Sequence, residues 1–259
     1  REYSPEDMRR FAGTTPTATA HAPLTASATG LFWLAGGGIV LLLVETLALD
    51  KQLYVLGGGL VAYGLAQMVN ARAVNQGHSL GVLSQILSDL NTMPQQMRRL
   101  ALAQFFTWIA LFILWIYTTP VVTQYVFGST DTTSPAYNAG ADWVGVLFSI
   151  YNGVAALAAL ALPLLTKKIG AARTHMVCLL AGAAAFAAMM VIRDANMLVL
   201  PMIGIGIAWA SILTMPYVIL SAILPQEKFG IYMGIFNFFI VLPQLMIATI
   251  MGGLMRSFF

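Results

Sequence analysis

The stretch NMLVLPMIGIGIAWASILTMPYVILSAIL, residues 196–224, carries no charged side chain. At ~1.5 Å of rise per residue, a helix of that length outreaches the ~30 Å hydrocarbon core of a bilayer. An open strand in that medium would leave its backbone groups without partners, so the stretch predicts a membrane-spanning helix. Six more stretches qualify on the same ground: 31–49, 53–70, 100–126, 142–165, 174–192 and 229–255. The composition agrees. Of 259 residues, 59% are hydrophobic and 9% charged, where a soluble domain carries ~25% charged residues, and mean hydropathy is +0.79. The expected fold class is all-α transmembrane, which excludes the water-soluble enzyme folds.

Charge placement sets the expected orientation. With a cytoplasmic N-terminus, the inner segments hold Arg1, Arg9, Arg10, Arg72, Arg98, Arg99, Lys167, Lys168, Arg173 and Lys228, leaving Lys51, Arg193 and Arg256 outside. That is a positive-inside pattern, and seven spans then put the C-terminus on the outer side. The bases lie in short loops rather than in a stripe, so nucleic acid is not an expected partner. Residues 1–30 read as a flexible cytoplasmic linker, 31–70 as a transmembrane hairpin, 71–99 as a cytoplasmic loop and 100–259 as a helical bundle. Within the loop, Leu83, Ile86, Leu87 and Leu90 recur at helical spacing, with Ser84, Gln85, Ser88 and Asp89 on the other face. This predicts a helix lying in the membrane interface. Gly36-Gly37-Gly38 and Gly57-Gly58-Gly59 are expected to face each other across the hairpin and allow close packing.

Cys178 is the single cysteine, and His21, His78 and His175 fall in loops or at a helix edge, so neither a disulfide framework nor a metal or haem site is expected. There is no Ser/His/Asp set, HExxH motif or phosphate-cradling loop. The protein is therefore not expected to be an enzyme or to need a cofactor. A start at Arg1, without signal peptide or lipidation motif, reads as an excerpt of a longer polypeptide.

A faint repeat organises the second part. Gly145, five residues, then Tyr151-Asn152 in the fourth span echoes Gly230, five residues, then Phe236-Asn237 in the seventh. TTPVV at 118–122 resembles TMPYV at 214–218, one span earlier in each case. An offset of three spans gives units of opposite sense, the arrangement that places a transporter's substrate near midplane.

Polar groups in the spans are hydroxyls, amides and indoles, with almost no charge. Gln104, Trp108, Leu111 and Trp115 share one face of the third span, and Asn237 and Gln244 share a face of the seventh. Tyr151 and Asn152 sit near the middle of the fourth; Trp209, Ser211, Thr214 and Tyr217 make a mixed face on the sixth. Such a set suits a neutral sugar, whose C–H face packs on an indole and whose hydroxyls need both donors and acceptors. The simpler alternative makes the tryptophans packing or lipid-facing aromatics and the asparagines interhelical hydrogen-bonders. Glu45, the one carboxylate inside a span, is a candidate for proton coupling. At four or five residues from the outer boundary at Asp50-Lys51, it also lies within reach of interfacial water.

Longer strings carry a family resemblance: QFFTW at 104–108, WIYTTP at 115–120, DWVG at 142–145 running into YNG at 151–153, GIGIAWAS at 204–211, MPY at 215–217, and GIYMGIFNFFIVLPQ at 230–244. From about residue 99 to 259 the chain resembles the C-terminal half of a major facilitator superfamily sugar transporter. It is closest to bacterial relatives of the sucrose–proton symporters in the glycoside–pentoside–hexuronide:cation group. Lys167, Lys168, Gly170 and Arg173 resemble the basic cytoplasmic loop of that superfamily. The resemblance implies a twelve-helix, two-bundle symporter in a bacterial inner membrane, moving a disaccharide such as sucrose or maltose with protons by alternating access.

Gln104, Trp108, Trp115, Tyr151, Asn152, Trp209, Tyr217, Asn237 and Gln244 would line the sugar site, and Pro120, Pro216 and Pro243 would bend helices for gating. The partners implied are the sugar, the coupling proton, membrane lipid and a missing N-terminal six-helix bundle. Against the family pattern, the C-terminal bundle is incomplete, stopping after five helices, and the hairpin 31–70 is extra. The competing expectation is a non-transporting membrane scaffold or assembly subunit.

Overall fold

A computed structural model of the chain describes residues 24–78 and 81–258. Most of the expected linker, with Arg1, Arg9, Arg10 and His21, lies outside the described residues, as does the side chain of Leu83. The described residues form eight α-helices and no strand. The helices are α1 (Leu24–Thr46), α2 (Leu53–Asn75), α3 (Val82–Asn91), α4 (Gln95–Tyr125), α5 (Pro135–Ile169), α6 (Ala171–Val191), α7 (Val199–Ile223) and α8 (Phe229–Phe258). Short 3-10 turns at Asn196–Leu198 and Gln226–Lys228 lead into α7 and α8. All but α3 contribute to seven segments long and apolar enough to cross a membrane, which makes the protein a multi-pass integral membrane protein. Large apolar side chains such as Leu160, Met190 and Val191 are more than 75% exposed, a surface that suits hydrocarbon rather than water.

Helix ends depart from the hydrophobic runs where local chemistry sets them. The apolar run of the first span continues to Leu49, but α1 stops at Thr46 and the chain turns through Ala48 at φ 48°. At its other end α1 begins at Leu24, so residues 24–30 are helical rather than linker. Helix α5 starts seven residues before the expected 142. The Ser134 hydroxyl accepts from the Tyr137 amide at 3.1 Å, and Pro135 takes the first helical position, where a missing N–H costs nothing. Asp142, expected at a helix start, thus lies two turns inside α5. Just before it, Asp131 accepts from the backbone and hydroxyl of Thr133, which hold its carboxyl below the usual range.

The chain forms two compact units, one comprising residues up to Phe106 and from Leu224 onward, the other Thr107–Ile223. In the first, α1 and α2 pack as a hairpin through glycine. A Cβ on Gly64 would stand 2.6 Å from the Leu34 nitrogen and 2.7 Å from the Gly30 oxygen, and one on Gly37 2.7 Å from the Gly57 oxygen. Gly36, Gly38, Gly58 and Gly59 face open space, so one glycine of each triplet makes the contact.

Helix α3 is fastened at both ends. Ser84 donates to the Asn70 amide oxygen on α2, and Lys228 Nζ donates to Asp89 Oδ1 at 2.7 Å. Asp89, expected on the outer polar face, is 2% exposed, because the ammonium compensates the charge that burial would otherwise penalise. The carboxylate in turn raises the Lys228 pKa above its ordinary value. The link is therefore complete below the usual lysine range of ~10.4 and is lost as pH rises through the raised value.

Two stability outcomes follow from these contacts. Gly64→Val is expected to destabilise the hairpin by about 1–3 kcal/mol through overpacking, whereas Gly58→Ala leaves it unchanged or gains ~0.5–1 kcal/mol of helix propensity. Unfolding in detergent micelles measures both. Lys228→Ala strands the Asp89 carboxylate at a cost of about 1–3 kcal/mol, and the same measurement should show Asp89→Asn recovering most of it in the double variant.

Candidate functional site

The second unit is built around α7, whose membrane-spanning window is half buried, more than that of any other span. Small residues set its distances to α5 and α6. A Cβ on Gly206 would meet the Tyr151 carbonyl at 2.6 Å, one on Gly204 the Ala181 carbonyl at 2.8 Å, and one on Gly182 the Ala208 Cβ at 2.6 Å. The residues of α4 in this unit meet the others through large side chains instead. Leu111, Leu114 and Val122 join Val144, Leu147, Met202, Ile205 and Ile212 in one core.

Three indoles stand where α4 meets α7. Trp108, Trp115 and Trp209 form a triangle with ring centroids 6.1, 5.8 and 5.4 Å apart, every pair edge to face, the geometry that aligns ring edges with π faces. Phe112 extends it at 5.5 Å from Trp115. Trp115 Nε1 donates to the Tyr151 hydroxyl at 3.0 Å, tying α4 to α5, and Phe148 packs 5.6 Å from the Tyr151 ring. Trp108 Nε1 is buried with no hydrogen-bond partner among the described residues. A buried unpaired donor carries a desolvation cost of about 1–3 kcal/mol, which an acceptor reaching it would offset.

A polar pair lies on the neighbouring interface. His175 on α6 and Ser211 on α7 share a 2.8 Å hydrogen bond between Nδ1 and Oγ, and both are buried. His175 Nε2 is buried with no hydrogen-bond partner among the described residues. The sequence put His175 at a helix edge; α6 begins four residues earlier, at Ala171, and the side chain is buried against Ser211 on α7.

Within the second unit the structure brings together Trp108, Trp115, Tyr151 and Trp209. Asn152, next to Tyr151, points outward, with its amide donating to the Phe148 carbonyl at 2.8 Å. Tyr217 is exposed, eight residues beyond Trp209 on α7, or ~12 Å along the axis. Gln104, Asn237 and Gln244 belong to the first unit, where Gln104 is buried, Gln244 half-buried and Asn237 exposed. Glu45 is also there, exposed at the end of α1 and accepting from the Tyr54 hydroxyl. Helices run on through Pro120, Pro216 and Pro243, and through Pro163, which the sequence reading passed over. Lys167 and Lys168 end α5, Gly170 makes the turn at φ 85°, and Arg173 lies in the first turn of α6; all four are exposed.

No family model, curated protein or solved structure matches this chain. The likeness to sugar symporters therefore rests on the strings quoted above. Among the described residues no three His, Cys, Asp or Glu side chains stand close enough to hold a metal ion. What the sequence missed is mostly partnership: Phe112 beside Trp115, Phe148 beside Tyr151, and His175 with Ser211. The i+3 spacings of Phe112–Trp115 and Phe148–Tyr151 were the available signals.

A double-mutant cycle on Trp115→Phe and Tyr151→Phe, read by unfolding in micelles, is expected to show about 0.5–1.5 kcal/mol of coupling, the worth of one intramolecular hydrogen bond.

Proposed function

We propose that this protein is the sugar-binding half of a secondary active transporter, carrying a neutral disaccharide of the sucrose or maltose kind with protons across a bacterial inner membrane. The observation that supports the reading best is the triangle of Trp108, Trp115 and Trp209 with the unpaired Trp108 N–H at its side. Indole faces accept the C–H side of a pyranose ring, and a buried N–H without an acceptor favours a hydroxyl oxygen. The site contains no charged group, which favours a neutral substrate over an anion. On this reading the N-terminus is cytoplasmic, Lys167, Lys168, Gly170 and Arg173 form a cytoplasmic loop, and a second six-helix bundle completes the path. Transport then belongs to the assembled pair, with the indole site as this chain's share of it.

Binding tests the proposal directly. Tryptophan fluorescence of the chain in nanodiscs, titrated with sucrose and with maltose, is expected to change saturably for at least one of them. Trp108→Phe, which keeps a ring and removes the N–H, should weaken that binding about tenfold, equivalent to ~1.4 kcal/mol. A flat titration with both sugars in well-folded protein would sink the reading.

A further inference from the structure

The first unit contains an open-sided cavity of about 510 Å³ between the α1–α2 hairpin, α3 and α8, with Trp33, Leu60, Tyr63, Leu87, Phe239 and Leu242 among its walls. Two of its few polar groups are already engaged. The Tyr63 hydroxyl accepts from Gln67 Nε2 at 2.7 Å, and the Thr249 hydroxyl donates back to the Leu245 and Met246 carbonyls. A cavity water needs two to four polar partners, and an apolar space without them stays dry. Most of the wall belongs to membrane-spanning helices, so the medium that can enter is hydrocarbon. A methylene takes about as much room as a water molecule, ~30 Å³, which gives space for roughly seventeen carbons, the length of one lipid chain.

Charge at one end of the same unit narrows the class of lipid. Arg72 is exposed on α2, six residues past the cavity-lining Ala66, or ~9 Å along the helix. Helix α3 links that end of α2 to the start of α4, where Arg98 and Arg99 are also exposed. The carboxylate between them in the chain, Asp89, is held by Lys228, so it does not neutralise the arginines. Guanidinium forks match phosphate oxygens. We propose that this cavity holds one acyl chain of an anionic membrane phospholipid, its phosphate bound by Arg72, Arg98 and Arg99. Ile86, Leu87 and Leu90 on α3 cover the chain below the headgroup. The site lies wholly in the first unit and is independent of the sugar reading.

Native mass spectrometry of the full chain, released from nanodiscs of equal phosphatidylglycerol and phosphatidylcholine, tests this. One phosphatidylglycerol per chain is expected, retained at least tenfold over phosphatidylcholine. Gly59 lines the cavity, and a Cβ there meets nothing within 4 Å, so Gly59→Phe should fill the space without moving the backbone and abolish retention. Gly58, where a Cβ also meets nothing, is the control, and Gly58→Phe should retain lipid as the unaltered protein does. Arg72→Gln should bring the two lipids toward equal retention. The proposal is overturned if the unaltered protein holds both lipids equally, if Gly59→Phe retains phosphatidylglycerol as Gly58→Phe does, or if detergent or a non-phospholipid fills the site. Should Gly59→Phe fail to fold, a chain keeping Trp33 as its sole tryptophan decides the matter. Chain-brominated phosphatidylglycerol must quench Trp33 more strongly than the brominated phosphatidylcholine, and equal quenching overturns the assignment.

Discussion

A peptide group in hydrocarbon has no water to turn to, and the rest of this structure depends on that. Each spanning segment closes its own hydrogen bonds as a helix, which leaves the backbone nothing with which to choose a neighbour. Lipid tails are as apolar as leucine, so burial alone does not choose one either. Selection falls to shape and to the few polar side chains. Where glycine stands opposite a backbone oxygen, as at Gly64 and Gly206, helices approach to touching distance. Where tryptophan stands, as on α4, they are held apart and the space between is aromatic.

The same division explains what could be read from the sequence. Seven spans were legible because each is a long apolar run, and nothing else in the chain resembles one. Their ends were less so: the start of α5 depends on Ser134 and Pro135, and a hydropathy average does not register a cap. Three glycines in a row give no sign of which one faces the neighbour, since successive residues on a helix differ by ~100°. Tyr151 and Asn152 show the same limit, one turned inward and its neighbour outward.

Partnership across long separations was the least legible of all. The periodicity of α3 placed Asp89 among outward-facing residues, and only a lysine 139 positions away makes its burial tolerable. Trp108 and Trp115 were readable as one helical face, but their meeting with Trp209 depends on how α4 and α7 are brought together. His175 was misplaced for a related reason. A histidine just past a basic loop reads as interfacial, and it is the Ser211 hydroxyl on α7 that gives it an interior address.

The junction at Gly170 has a mechanical meaning. Helices of 35 and 21 residues, α5 and α6, are joined there by a single residue. A linker that short has no slack, so tilting either helix must drag the end of the other with it. The left-handed backbone at φ 85° concentrates the bend at a position where an L side chain would be strained. The two helices thus behave as arms of one lever with Gly170 at its fulcrum. The Thr174 hydroxyl, bonded to the Gly170 carbonyl at 2.9 Å, braces the shorter arm against that pivot.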